Sequence, residues 1–150
     1  MKASAKLNYG VEDVFKVFIK AAKQEFKEFD KEDPKGLKIV KNISSAGSKP
    51  MKCTVEITDY EENAKYEITT SNSISKCKST YKFKEQRDGN TLVKFEESQG
   101  GNGLVSSMTL VILRFMAKRK FKKRFKAMMA EIENEIRRQK ENLERSKKKA

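Results

Sequence analysis

Residues Ala3, Ala5, Leu7 and Tyr9 alternate with Lys2, Ser4, Lys6 and Asn8, the period of two that marks a strand buried on one face. From Val11 the period changes. Val11, Val14, Phe15, Phe18, Ile19, Ala22 and Phe26 recur at three- and four-residue steps, with Glu12 and Asp13 in the first turn, where the helix dipole favours acids. This predicts an amphipathic helix, in one piece or two, that stops at "DKEDPKG", where Pro34 restricts its neighbour and Gly36 frees a turn.

Alternation returns between residues 37 and 99. Met51, Cys53, Val55 and Ile57 fall on one face against Lys52, Thr54, Glu56 and Thr58, and Ala64, Tyr66 and Ile68 oppose Lys65, Glu67 and Thr69. Cys77, Ser79, Tyr81 and Phe83 oppose Lys76, Lys78, Lys82 and Lys84. Breaks fall at Gly47 to Pro50, at "YEENA", at "SNS" and at Asp88-Gly89, the last a signal for a two-residue type I′ hairpin. Connections this short make neighbouring strands antiparallel. Beyond "SQGGNG" a long helix is expected, with Phe121, Phe125, Met128, Ile132 and Ile136 along its apolar stripe. A sheet dry on one face needs a cover, and this helix is the element large enough to supply it.

That order, with "VEDVFKVFIK" directly after the opening strand, resembles the START-like or SRPBCC superfamily, the helix-grip fold, and is similar to a small bacterial group within it known as a domain of unknown function. The resemblance implies an α+β fold: a curved antiparallel sheet of about six strands around a long C-terminal helix, with one or two short helices after strand 1. It places the domain at residues 1–136 and leaves 137–150 as a basic helical extension or frayed tail. It also implies a cavity between sheet and helix that often takes an apolar ligand. Members include lipid carriers, hormone receptors and polyketide cyclases, so the fold does not choose the function.

Charge changes the picture at one end. Of a formal net charge of +13, residues 114–150 hold 15 Lys/Arg against 5 Asp/Glu. The chain has no histidine, which excludes Ser-His and Cys-His nucleophile pairs and histidine general bases. Two cysteines without histidine leave too few soft ligands for a structural zinc, so no metal or cofactor is expected. Cys53 and Cys77 fall on alternate strands, about two strand spacings or roughly 10 Å apart, too far to bridge. The opening "MKASAKLNYG" lacks the apolar core of a signal peptide, and the expected location is the cytoplasm.

The run Leu104 to Ala117 is about two-thirds of the length that spans a bilayer and is interrupted by Arg114, which favours a wall in a protein groove. The cavity wall would then comprise Tyr66, Ile68, Tyr81, Phe83, Phe95, Met108, Ile112 and Met116. Ser79 and Glu97 fall in phase with the apolar set, as Lys41 does with Leu37, Ile39 and Ile43. An interior Glu97 needs a partner, water or a ligand, unless it lies past a strand end or a bulge. Lys118, Arg119, Lys120, Lys122, Lys123, Arg124 and Lys126 form a cationic block pierced by Phe121 and Phe125. It reads either as an anion-binding surface or as the wet face of a helix whose phenylalanines point at the sheet. Gly100, Gly101 and Gly103 read as a hinge more readily than as an anion cradle.

The leading expectation is binding of a small hydrophobic or amphipathic ligand, lipid included, by a chain with no assigned catalysis. The alternatives are docking on anionic membrane or nucleic acid through the basic helix, and a cyclase-type enzyme using Glu97 or Tyr81 as acid or base. Oligomeric state is not legible.

Overall fold

The computed structural model describes residues 1–29, 33–43, 51–73, 75–101 and 107–149, and the side chains at 43, 51, 75, 99–101 and 107–119 lie outside that description. The break expected at Gly47 to Pro50, Gly103, and the side chains of Met108, Ile112, Met116, Lys118 and Arg119 therefore lie outside the described residues.

Alternating positions become six strands in a single antiparallel sheet: β1 (Lys2–Leu7), β2 (Lys38–Ile43), β3 (Met51–Glu61), β4 (Lys65–Ser71), β5 (Ser75–Glu85) and β6 (Thr91–Gly101). The order across the sheet is β1-β6-β5-β4-β3-β2. Helix α1 (Val11–Glu25) connects the two edge strands, and α2 (Ser107–Lys149) closes the chain. Val14, Phe15, Ile19 and Ala22 of α1 are buried against the inner face of the curved sheet. On α2, Phe121, Phe125, Met129, Ile132 and Ile136 join the same core, while Lys120, Lys122, Lys123, Arg124 and Lys126 are exposed. Fully burying one such apolar side chain stabilises by about 1.5–3 kcal/mol, so this stripe is what holds the helix down. Met128, expected on this stripe, is exposed instead, because four residues on from Phe125 the helix brings Met129 to the core.

Helix α2 is unbroken to Lys149, so the last residues are helical rather than frayed. At 1.5 Å per residue its 43 residues reach roughly 65 Å, about twice the length of an eleven-residue strand. Past Ile136 it is held by Lys140, whose ammonium lies 3.3 Å from the Asp13 carboxylate and 5.3 Å from the Tyr9 ring centre. No described helix is long and apolar enough to cross a membrane.

Three details depart from simple alternation. The β5–β6 connection is not a type I′ turn, because Asp88 keeps a negative φ and only Gly89 is left-handed (φ 83°). Gly89 N–H donates to the Gln86 carbonyl (3.0 Å) and Gln86 N–H to the Asn90 carbonyl (2.7 Å). This is a type I turn followed by a left-handed residue and a bulge, and the Asp-Gly pair suits it as well. Second, the β3–β4 register shifts between Ile57 and Asp59, so both the buried Ile57 and the partly buried Tyr60, whose ring meets Phe15 and Phe29, face inward. Third, the outer face is not wet throughout. Glu67 and Thr69 of β4 are buried there, the Glu67 carboxylate accepting from the Thr58 and Thr80 hydroxyls at 2.8 and 3.0 Å. On this central strand, neighbours on both sides shield the outward positions.

Candidate functional site

Antiparallel register arranges the inner face in rows. One row reads Tyr60, Tyr66, Tyr81, Phe95, Ala3 across β3, β4, β5, β6 and β1. It is filled. Tyr81 stacks on Phe95 with ring centres 4.2 Å apart, and Phe95 stacks on Phe121 of α2 at 4.8 Å. Phe18 of α1 meets Tyr66, Tyr81 and Phe83 at 5.6, 4.7 and 5.0 Å. This aromatic belt ties both helices to the sheet, and such pairs contribute about 0.5–1.5 kcal/mol each beyond area burial.

The next row reads Ile57, Ile68, Ser79, Glu97, and the one beyond it Val55, Thr70, Cys77. Side chains here shrink and turn polar, and Ile68, Thr70, Cys77, Ser79 and Glu97 are all only half-buried. They form a shelf beside the belt. Glu97 lies well inside β6 rather than past its end, and its partner is the Cys77 thiol, which donates to Oε1 at 3.1 Å. Cys53 and Cys77 are both free thiols, on β3 and β5 with β4 between them. Lys41 sits one row further out on β2, opposite Cys53, and its ammonium pairs with Glu25 at the end of α1.

Protonation follows from burial. Desolvation, then the Glu97 carboxylate as hydrogen-bond acceptor and charge, pushes the Cys77 thiol up to about 11. Burial, helped by Glu97, pushes Tyr81 up to about 12, and burial carries Tyr66 further above the ordinary tyrosine value, with Glu25 and Tyr81 adding to it. At neutral pH the thiol is therefore no nucleophile and both tyrosines keep their protons. The shelf offers a carboxylate that already accepts from the Cys77 thiol, the Ser79 hydroxyl beside it, and an apolar edge at Ile68.

Of the expected wall, Tyr66, Ile68, Tyr81, Phe83 and Phe95 do come together on this face, with Ser79 and Glu97 beside them. Phe83 and Phe95 belong to the filled part, Ile68, Ser79 and Glu97 to the half-open part. The sequence puts Cys77 in phase with Ser79, Tyr81 and Phe83 and does not pair it with Glu97; shared phase was the available signal, but only register joins them. Tyr60 was missed altogether. In the cationic block, Phe121 and Phe125 are buried on Phe95, so this stretch is an amphipathic helix docked by its rings.

The chain is similar in fold to several solved structures. A protein of unknown function from Staphylococcus aureus superposes with a TM-score of 0.64 at 11% identity, covering 94% of this chain and 96% of that one. A START superfamily protein from Mycobacterium smegmatis gives 0.58 at 9% identity, over 89% and 97%. Ara h 8.0201 gives 0.58 at 14% identity, over 91% and 95%. Identities this low speak for the fold alone, and that fold is START-like. No curated protein matches the chain. A family model described as a domain of unknown function, DUF3284, matches residues 1–118.

Proposed function

Since the chain belongs to the DUF3284 family, a domain of unknown function, and has a START-like fold, we propose that it holds a small apolar or amphipathic molecule between the sheet and α2. The molecule's apolar body lies along Ile68, where the aromatic belt ends, and its hydrogen-bonding end reaches Ser79 and Glu97. The observation that carries this reading is the change between two adjacent rows. Tyr66, Tyr81 and Phe95 are closed over by aromatic partners, while Ile68, Ser79 and Glu97 stay half-open with a carboxylate among them. A sheet built only for stability would fill the second row as it fills the first, because a half-buried carboxylate costs free energy unless it is put to use.

A hydroxyl at Ser79 and a carboxylate at Glu97 suit a ligand with a hydroxyl, amide or protonated carboxyl end. They suit a permanently anionic end poorly, because Glu97 would repel it. The test is titration with a fluorescent amphipathic probe bearing a neutral polar end, against wild type and Ser79→Trp. The tryptophan adds bulk where Ser79 now leaves the shelf half-open. Micromolar binding abolished by Ser79→Trp supports the reading, and equal binding by both proteins overturns it.

A further inference from the structure

Lysines on the outer face of the sheet divide into two sets. Lys2 and Lys6 of β1, Lys38 of β2 and Lys65 of β4 pair with Glu96, Asp88, Glu56 and Asp59 respectively. Lys76, Lys78, Lys82 and Lys84 of β5 and Lys94 of β6 are exposed and make no ion pair among the described residues. Register puts no acid directly beside them. Lys76 lies between Ser71 and Gly100, and Lys78 between Thr69 and Ser98. Lys82 lies between Lys65 and Lys94, and Lys84 is opposite Leu92, with Lys6 beyond it. Like charges directly opposite destabilise a sheet, so the row through Lys82 and Lys94 carries a cost that one acid would remove.

The acids within this stretch are already engaged. Glu67 and Glu96 flank Thr80 across the strands. Glu67 is buried and accepts from the Thr58 and Thr80 hydroxyls, and Glu96 is paired with Lys2. Four lysines therefore follow one another along β5, from Lys76 to Lys84, over roughly 26 Å, with Lys94 alongside. β5 and β4 are the middle strands of the six. The sheet curves around the two helices on its inner face, so its middle strands form the crest of the convex side. A crest is what meets a flat surface first.

We propose that this crest docks the protein on an anionic lipid bilayer. Lysines carry point charges on flexible stems, which reach a headgroup layer without demanding a fixed geometry. A cluster of this size is drawn to a leaflet bearing phosphatidylserine, at about a fivefold gain in partitioning per lysine. Nucleic acid suits the face less well. The outward positions of β4, β5 and β6 hold no arginine for a bidentate grip on phosphate or base, and no aromatic ring for stacking. A convex face also touches a rod-like duplex over only a short stretch. Docked on its crest, the protein turns α2 and the cationic block of that helix away from the bilayer. The contact is a tether, and it does not rest on the shelf's having a ligand.

Co-sedimentation with vesicles tests the proposal. Wild type should bind mixed phosphatidylserine/phosphatidylcholine vesicles and not pure phosphatidylcholine, and added salt should release it. Lys82→Gln/Lys94→Gln should lower the partition coefficient about 25-fold. Lys120→Gln/Lys123→Gln, an equal change of charge on exposed residues of α2, should leave it within about twofold. The crest variant relieves repulsion, so its urea midpoint should be no lower than that of wild type. Should it unfold earlier, Lys76→Gln/Lys78→Gln reads the same crest away from that row and should weaken binding to a similar extent. Binding that needs phosphatidylserine and is lost in the crest variants alone supports the proposal. Equal binding to both vesicles, equal loss in the crest and α2 variants, capture by a duplex oligonucleotide but not by vesicles, or no binding at all overturns it.

Discussion

Replacing Phe95 with alanine tests whether α2 is fastened to the sheet where the aromatic belt says it is. Phe95 is buried between Tyr81, Phe121 and Phe125, so truncation removes a ring from a closed environment. Large aromatic-to-alanine changes in cores cost about 3–5 kcal/mol. In a domain of 150 residues each kcal/mol moves the melting midpoint by about 2–4 °C, which predicts a drop of roughly 10 °C. Loss of stability alone would not show which contact matters. A double-mutant cycle does: Phe95→Ala and Phe121→Ala should be less costly together than summed, with a coupling of about 0.5–1.5 kcal/mol for the stacked pair. Urea unfolding followed by far-UV circular dichroism measures the proteins of this cycle and of the matching cycle with Tyr81→Ala. Coupling between Phe95 and Tyr81 without coupling between Phe95 and Phe121 would refute the docking of α2 on this row.

Lys94→Glu should stabilise the protein by a few tenths to about 1 kcal/mol in low salt, because it turns the repelling Lys82 pair into an attractive one; urea midpoints that are unchanged at low salt would count against that. Stability should hold steady up to about pH 9 and decline as pH rises through the folded values of about 11 for Cys77 and about 12 for Tyr81, since the unfolded chain gives up these protons first. Glu97→Gln should lower the Cys77 pKa and speed alkylation of that thiol at mildly alkaline pH, in a Cys53→Ala background where one thiol reports; a slower reaction would contradict the assigned hydrogen bond. Asn63 is left-handed in the β3–β4 turn (φ 61°), so Asn63→Gly should be tolerated while Asn63→Val should cost about 1–2 kcal/mol in the same unfolding assay.

Much of this architecture can be read from phase. The alternation in β3, β4 and β5 and the switch to helical spacing at Val11 and again in α2 predict the element order and the faces that meet. What phase does not supply is register. A two-residue turn at Asp88-Gly89 would pair Arg87 with Asn90 and set Ser79 against Ser98, turning Phe95 and Glu97 outward. The bulged turn moves the pairing by one residue, and that shift creates the belt and brings Cys77 to Glu97. The inward set along β6 agrees with the turn that forms and not with the one its Asp-Gly pair suggests. Tyr60 escaped for a related reason: strict alternation from Ile57 predicts Asp59 inward, and only the shift between those residues restores an aromatic to the row. Glu67 and Thr69 look like surface residues in sequence because their shielding comes from Thr58 and Thr80 on neighbouring strands, a property of the sheet and not of β4.

Mass spectrometry under native conditions, on protein purified without detergent, bears most directly on the shelf beside the aromatic belt. A ligand held there predicts an added mass of a few hundred daltons on wild type, released on denaturation and missing from Ser79→Trp. A bare chain in both proteins, still bare after incubation with a neutral amphipathic probe, would contradict it.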